Sequence, residues 1–399
     1  MKVFFRTIVN AFKSEGVVFV VFLLALIFQL TDKGIYPIMA LSVGLCFFAF
    51  SNKTLVDGTA LLLLMFSILL FLFTPSYKSG AFVVTTLFGP FSFYIYGKYL
   101  VQRTKNKEDI LCAVILLIIF SFSFLFWWSV IHAFVTGSQD YSMRQLEMEG
   151  NSQELGATLF ALIASLGLSG LAIFVGAKSR WGNFFIWLFL LAFIISFLGT
   201  TSLVNRSGLV VPLFPLAVVV FYNTRGHFFR TFFILTVIIV LGIVLYNNYI
   251  SDSDLMRAYE LRSETQQGAG GDRLWRWADA INRLFSYPFG WSTASGVGYS
   301  YVHNLWLDIA RMGGILPFIT FLVATVQVLV VHIKLFIIKN DNIVVILLSL
   351  FMTISSASAI EPVVEACPSY FVLSILFWGV SKEYFVEKNR EIQFQAISK

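Results

Sequence analysis

The apolar run at residues 110–134 decides the class of fold, and it reads ILCAVILLIIFSFSFLFWWSVIHAF. A helix needs about 20 predominantly apolar residues to cross a bilayer, and this run is longer and contains no Asp, Glu, Lys or Arg. Similar runs recur from Val17 to Trp378. The whole chain is 58% hydrophobic and 13% charged, whereas a soluble domain carries roughly 25% charged residues. The sequence therefore predicts an all-α, polytopic integral membrane protein and excludes a soluble fold.

We expect about twelve membrane-spanning helices in a single membrane domain, residues 1–399. Their apolar cores lie near residues 17–31, 35–51, 59–73, 81–97, 110–134, 155–176, 183–204, 207–222, 231–250, 312–333, 343–360 and 369–381. The longest polar interruption is residues 251–311. This interruption predicts one large loop on one side of the membrane.

Basic residues predict the orientation, because cytoplasmic loops carry an excess of Lys and Arg. With the N-terminus inside, most of the 28 Lys and Arg residues fall in cytoplasmic segments, and most of the others lie in or beside 251–311. We therefore expect both termini in the cytoplasm and the large loop on the other side, which in a bacterial inner membrane is the periplasm. The basic N-terminus and the apolar stretch after it are typical of an uncleaved first helix. The net charge of +6 follows from the inside-positive loops and does not indicate a nucleic-acid partner.

The predicted membrane cores contain no Asp, Glu, Lys or Arg. Ion-coupled pumps and symporters need ionisable groups at mid-membrane depth to carry a proton or bind a cation. The pattern therefore argues against such a transporter. It leaves open a lipid flippase, which works by opening a groove.

Within the loop, residues 272–285 predict an amphipathic helix with Asp272 as its N-cap. Apolar residues at helical spacing form one face, namely Leu274, Trp277, Ile281 and Leu284. Three basic residues fall together on another face, namely Arg273, Arg276 and Arg283. Such a helix is suited to lie on the outer leaflet. Because the guanidinium group donates in a planar fork, it is also suited to bind a diphosphate, and both interpretations can hold for one helix.

A second polar segment follows, and it contains His303, Asn304 and Asp308. Ser300 is a candidate N-cap, which would place His303 in the first turn of the next helix, where backbone N–H groups attract phosphate. His303 is the one histidine expected on the same outer side as the arginine cluster. Asn304 and Asp308 could orient the imidazole ring or a sugar hydroxyl, although Asp308 could instead pair with Arg311.

Arg206 is the lone charge of a polar interruption between two apolar segments, at residues 200–208. One interpretation is an anchor that extends to the lipid headgroups. The alternative is a second phosphate clamp at the mouth of a lipid groove.

These short motifs together resemble the O-antigen ligase and polymerase superfamily, polytopic enzymes that use undecaprenyl-diphosphate-linked glycans in the periplasm. The matching pieces, in order, are Asn205-Arg206-Ser207-Gly208, Gly271-Asp272-Arg273 with Trp277 and Ala278, Pro288-Phe289-Gly290, and His303-Asn304 followed by Leu307, Gly313 and Gly314. The resemblance covers residues 195–320 by motif and the whole chain by hydropathy.

The resemblance implies a metal-independent, inverting glycosyl transfer in which undecaprenyl diphosphate is the leaving group. Arg206 and Arg273 would bind the diphosphate, with Arg276 as a helper. His303 would act as general base on the acceptor hydroxyl or orient the acceptor. No cofactor is implied. The implied partners are the lipid-linked oligosaccharide, membrane lipid, a chain-length regulator and a flippase.

Within that superfamily, a polymerase joins repeat units for O-antigen or capsule, whereas a ligase transfers the glycan to lipid A-core. Ligases tend to have a longer insertion between the loop arginine and the histidine than the stretch from Arg273 to His303. The segment His303-Asn304-Leu305-Trp306-Leu307-Asp308 also resembles polymerases. We therefore expect a polymerase, with the ligase, the flippase and a peptidoglycan-type glycosyltransferase as alternatives.

Overall fold

The computed structural model of the protein describes residues 2–31, 33–74, 79–104, 108–137, 145–148, 151–177, 184–205, 207–224, 273–294, 300–338 and 341–397, with single positions at 229, 233, 236, 257 and 260. The described residues are mainly helical. Arg206 and Asp272 lie outside the described residues. Of the predicted apolar core at 231–250, only positions 233 and 236 are described.

The first part of the chain folds into ten helices among the described residues, with one short hairpin. The helices are α1 (Lys2–Phe28), α2 (Ile35–Ser51), α3 (Gly58–Phe73), α4 (Gly80–Arg103), α5 (Glu108–Thr136), α6 (Ala157–Leu168), α7 (Gly170–Gly176), α8 (Phe184–Ser202), α9 (Ser207–Val210) and α10 (Leu213–Thr224), with a 3₁₀ turn at Lys53–Leu55. Helix α1 is kinked at Gly16, where φ is 71°. The strands β1 (Gln145–Met148) and β2 (Asn151–Gly156) pair antiparallel between α5 and α6.

The second part carries the predicted loop helix and the last membrane helices. The helices are α11 (Arg273–Ser286), α12 (Leu305–Gly313), α13 (Ile315–Ile337), α14 (Asn342–Ile360), α15 (Val363–Ala366) and α16 (Pro368–Ile397). The short helix α12 contacts α3, α14 and α15. The polar segment around His303 is therefore held against the ends of membrane helices.

Six helices of the described chain are long and apolar enough to cross a membrane, and counting the bent α1 as one span gives seven. The six are Gly80–Arg103, Glu108–Thr136, Ala157–Gly176, Phe184–Ser202, Ile315–Ile337 and Asn342–Ile360. The segments Ile35–Ser51, Gly58–Phe73 and Gly208–Thr224 are apolar but only 10–17 residues long. The chain is thus a helical membrane protein. The predicted number of about twelve is not reached in the described residues, because several predicted cores fold as helices shorter than a perpendicular span needs.

Helix α13 displays the surface that a bilayer requires. Its exposed apolar residues recur every three or four positions along one side, namely Leu316, Ile319, Val323, Val326, Val330 and Ile333. A continuous apolar stripe of this length is unfavourable in water but is well solvated by lipid chains. The opposite side of α13 carries Phe321, Ala324 and Val328, which are buried in the main core.

Glycines allow a close helix contact between α4 and the C-terminal helix α16. A Cβ on Gly379 would lie 2.0 Å from the carbonyl oxygen of Tyr94, and a Cβ on Gly97 would lie 2.1 Å from that of Leu376. Small residues at such crossings let two backbones approach closely, which is a main source of packing energy in membranes.

Replacing Gly379 by Ala is expected to force α4 and α16 apart, because the new methyl group would collide with backbone rather than with a movable side chain. Overpacking of this kind costs about 1–3 kcal/mol, measurable as a lower thermal unfolding temperature in detergent. Gly44→Ala is the matched control, since no atom lies within 4 Å of a Cβ placed there. The control should be neutral or slightly stabilising, because Ala favours helix over Gly; equal losses in both variants would contradict this packing.

Candidate functional site

Helix α11 packs on the protein through a small core that is separate from the main one. This core contains Ala280 and Leu284 from α11, together with Trp291, Val302 and Ala310. The four residues predicted to form one apolar face, Leu274, Trp277, Ile281 and Leu284, differ in their surroundings. Leu284 is buried, whereas Leu274 and Ile281 are 69% and 53% exposed. The helix therefore has one side packed on the protein and a second apolar side, with Trp275 and Phe285, that is exposed.

Two side chains of α11 fasten the segment that carries His303. Arg276 donates from Nη1 to the carbonyl oxygen of Tyr301 at 2.9 Å. Trp277 donates from Nε1 to the carbonyl oxygen of Val302 at 3.1 Å. Helix α11 thus binds both residues that precede His303. Arg276, predicted as a helper in diphosphate binding, makes one of these two hydrogen bonds.

The helix after His303 begins later than the sequence predicts. Asn304, rather than Ser300, is the N-cap of α12, and its side-chain oxygen accepts from the backbone N–H of Leu307 at 3.2 Å. His303 therefore lies just before the cap instead of in the first turn. Its φ of 60° is in the left-handed region, which interrupts helical geometry at this point.

Asp308 holds this strained connection in place. Its two carboxylate oxygens accept from the backbone N–H groups of Val302 at 2.9 Å and Asn304 at 3.2 Å, on either side of His303. The side chain is completely buried. Burial raises the pKa of Asp308, and the neighbouring Arg311 opposes that shift. The suggested contact of Asn304 or Asp308 with a sugar stays a prediction, since both side chains already bind this connection.

Arg311 provides the positive charge that compensates two buried carboxylates. It lies 3.5 Å from Asp308 and pairs closely with Glu365 of α15. Its guanidinium carbon lies 5.9 Å from the ring centroid of Tyr301. The predicted pairing of Asp308 with Arg311 is thereby confirmed, and the second pair, Arg311 with Glu365, links α12 to α15.

Two of the motif glycines allow the Pro288–Gly290 turn to pack on the end of α12. A Cβ on Gly314, where φ is 81°, would lie 2.0 Å from the carbonyl oxygen of Pro288. The backbone N–H of Ile315 donates to that same oxygen at 2.9 Å. Gly290, with φ 95°, approaches the backbone of Met312 in the same way. These contacts hold the Pro288–Gly290 turn against the C-terminal end of α12, the helix that follows His303.

The side chains of Arg273 and His303 meet at a residue that the sequence analysis did not select, Glu361. Oε1 of Glu361 lies 3.5 Å from Nη2 of Arg273, and Oε2 lies 3.7 Å from Nδ1 of His303. The Glu361 side chain is 3% exposed, whereas Arg273 and His303 are 32% and 22% exposed. One buried carboxylate thus joins the predicted diphosphate ligand and the predicted base, which come from two segments 30 positions apart in sequence.

Glu361 owes its position to the end of α14. It is the C-cap of that helix, and its backbone N–H donates to the carbonyl oxygen of Ala357. Pro362 follows and ends the helical run. A sequence signal was present, because Glu361 and Glu365 are the only acidic residues between Asp341 and Glu383, and a carboxylate at the end of an apolar segment indicates a functional site.

Arg206 lies outside the described residues, so its contacts and its predicted role stay a prediction. Its neighbours are fixed: Asn205 donates from Nδ2 to the carbonyl oxygen of Ala157 at 2.9 Å, at the start of α6. Helix α6 contacts α9 and also α15, the short helix that follows Glu361. Val204 has φ 51°, which is unfavourable for a β-branched residue. In the described chain, the residues other than glycine with positive φ are Val204 and His303. Val204 lies two positions before Arg206, and His303 is itself a candidate site residue.

Comparisons with known proteins leave the site to be interpreted from its own geometry. No protein-family model matches the chain, and no curated protein matches it. Among the described residues, no group of three or more His, Cys, Asp or Glu side chains could hold a metal ion. The site consists of one guanidinium, one carboxylate and one imidazole.

Replacing Asp308 by Ala should unlock the connection that carries His303. The backbone N–H groups of Val302 and Asn304 would lose their acceptors, and the buried Arg311 would lose one of its carboxylates. The expected loss in unfolding free energy is about 3 kcal/mol or more, measured by thermal or denaturant unfolding in detergent. Asp279→Ala is the control, because Asp279 binds Arg283 within one partly exposed helical turn, worth about 0.5 kcal/mol. Similar small losses in both variants would contradict the assigned role of Asp308.

Proposed function

We propose that the protein is a periplasmic, inverting glycosyltransferase that polymerises undecaprenyl-diphosphate-linked repeat units, of the O-antigen or capsule polymerase type. The observation that carries the proposal is the contact of Arg273 and His303 with the same buried carboxylate, Glu361. A cation for the diphosphate and an imidazole for the acceptor are the two groups that this chemistry needs. Both are partly exposed, so substrate can reach them.

The chemical step follows from these groups. An acceptor hydroxyl oxygen attacks the anomeric carbon of the donor glycan, and the bond from that carbon to the diphosphate oxygen breaks. The electron pair leaves with undecaprenyl diphosphate, whose charge Arg273 neutralises, with Arg206 as a second ligand and Arg276 as a helper. His303 takes the hydroxyl proton. Attack from the face opposite the leaving group inverts the anomeric configuration.

The arrangement in the membrane is part of the proposal. About twelve spans, both termini in the cytoplasm and residues 251–311 in the periplasm would place the site at the outer leaflet of the bacterial inner membrane. The exposed apolar side of α11, with Leu274, Trp275 and Phe285, supports this placement. Such a surface is suited to lie among lipid headgroups and acyl chains, where a lipid-linked donor diffuses. A flippase and a chain-length regulator are the proposed partners.

The variants His303→Ala and Arg273→Ala should remain in the membrane but fail to make long chains. In a deletion strain complemented with either variant, we expect lipopolysaccharide or capsule carrying single repeat units, with long chains reduced more than about 100-fold. Separation of the glycans by gel electrophoresis measures this directly. Arg283→Ala is the control, because Arg283 is on the same helix and binds Asp279, and its long chains should persist.

Three outcomes would reject the polymerase. A normal ladder of long chains in both His303→Ala and Arg273→Ala would remove the proposed site. Loss of even the first repeat from lipid A-core in the deletion strain, with accumulation of undecaprenyl-linked polymer, would identify a ligase. Repeat-unit lipid that stays on the cytoplasmic leaflet would identify a flippase.

A further inference from the structure

Glu361 is held less closely by its basic partners than two other acidic residues of the described chain, Asp57 and Glu365. Lys98 lies 2.9 Å from Asp57 and donates to the carbonyl oxygen of Leu55 at 2.8 Å, and Arg311 pairs closely with Glu365. Both are close, hydrogen-bonded ion pairs. Glu361 instead lies 3.5 Å and 3.7 Å from its two partners, so its carboxylate is buried without close ion pairs.

Two atoms that face each other lack a hydrogen-bond partner. Among the described residues, Oε2 of Glu361 and Nδ1 of His303 are both buried and neither makes a hydrogen bond. Leaving a buried polar atom unpaired costs about 1–3 kcal/mol. The two atoms lie 3.7 Å apart, so a movement of less than about 1 Å would bring them to hydrogen-bond distance. Catalytic hydrogen bonds are often long in the substrate-free protein and shorten in the complex.

We infer that Glu361 is the positioning residue for His303, an inference that rests on the proposed function. Oε2 of Glu361 accepts a hydrogen bond from the N–H at Nδ1 of His303 and thereby selects the tautomer whose Nε2 lone pair is free. Nε2 then takes the proton of the acceptor hydroxyl as the new glycosidic bond forms. The resulting imidazolium lies against a carboxylate that stays ionised, which stabilises it electrostatically. Glu361 itself neither gains nor loses a proton.

The second oxygen of Glu361 connects this step to donor binding. In the substrate-free protein, Oε1 lies near Arg273, so the guanidinium and His303 share one negative charge. A diphosphate carries more negative charge than a carboxylate and accepts two N–H groups from a guanidinium. When Arg273 turns to the diphosphate, the carboxylate of Glu361 is left to His303 alone. Donor binding therefore strengthens the base at the time when the acceptor hydroxyl must lose its proton.

Kinetics of Glu361→Gln test this role with a prediction that a merely structural residue would not meet. Purified protein in liposomes is supplied with lipid-linked repeat units extracted from the deletion strain. We expect kcat to fall by about 100-fold or more, whereas KM for the donor stays the same or decreases, because Arg273 loses a competing anion. In Arg273→Lys, by contrast, we expect the KM for the donor to rise. A raised KM with unchanged kcat in Glu361→Gln would overturn the inference.

A double variant decides whether Glu361 acts through His303. If it does, Glu361→Gln combined with His303→Ala is no slower than His303→Ala alone. Multiplying losses would overturn the inference. Glu383→Gln is the control for removal of a buried carboxylate, because Glu383 binds Gln102 and lies near Lys98 on the far part of α16, and its kcat should not change.

A spectroscopic measurement separates this inference from the proposed function. Solid-state NMR of ¹⁵N-histidine-labelled protein in bilayers distinguishes protonated from unprotonated ring nitrogens, and His303→Gln assigns the signal among the 4 histidines. We expect the neutral ring of His303 to carry its proton on Nδ1 in the wild type and on Nε2 in Glu361→Gln. The same tautomer in both would overturn the inference, whether or not the protein polymerises glycans. If Glu361→Gln fails to fold, Glu361→Asp serves in its place, because the shorter side chain keeps the charge but moves it away from Nδ1. A wild-type kcat and a wild-type tautomer in that variant would also overturn the inference.

Discussion

The buried carboxylate of Glu361 is the constraint on which the site depends. An ionised carboxylate removed from water loses several kcal/mol of solvation, and it stays charged only where cations and donors compensate. In this protein the compensation comes from Arg273, which donates a long hydrogen bond to Glu361 at 3.5 Å, and from His303, whose Nδ1 lies 3.7 Å away without a hydrogen bond. A fold selected for stability alone would be better served by an apolar residue at this position.

Hydrogen bonds from the surrounding structure hold the backbone around His303 in place. Asp308 binds the backbone on both sides of His303, and Arg276 and Trp277 bind the two residues before it. These bonds hold His303 at φ 60°, a conformation that an unrestrained chain adopts rarely. Strain at a residue whose backbone is held so firmly is typical of positions where side-chain direction matters. The Pro288–Gly290 turn packs on the end of α12, and Arg311 of α12 pairs with Glu365 of α15. Both contacts hold the same connection against the membrane helices.

Hydropathy predicts most helices well, because an apolar run such as residues 110–134 has one stable state in a bilayer, and α5 occupies Glu108–Thr136. Arg273 and His303 could be selected as candidates from their residue types, and the structure places both against Glu361. Glu361 was not selected: an acidic residue at the end of an apolar run was visible in the sequence, but its contact with Arg273 and His303 depends on the position of the end of α14 next to α12, which a one-dimensional pattern does not contain. The N-cap was misplaced for a related reason: Ser300 and Asn304 are both good caps, and the contacts of Asn304 and Asp308 decide between them. The apolar face of α11 was predictable, but spacing alone does not show that Leu284 packs on the protein while Ile281 is exposed.

The most direct test of the account is the stoichiometry and stereochemistry of transfer by the purified protein in liposomes. With lipid-linked repeat units as the substrate, the account predicts one undecaprenyl diphosphate released for every repeat unit joined, and a new glycosidic bond whose anomeric configuration is the inverse of that in the donor. Mass spectrometry of the lipid and NMR of the glycan measure both. Retention of the donor configuration, or release of undecaprenyl monophosphate with a phosphorylated glycan, would contradict a site in which Arg273 receives the diphosphate and His303 receives the acceptor proton.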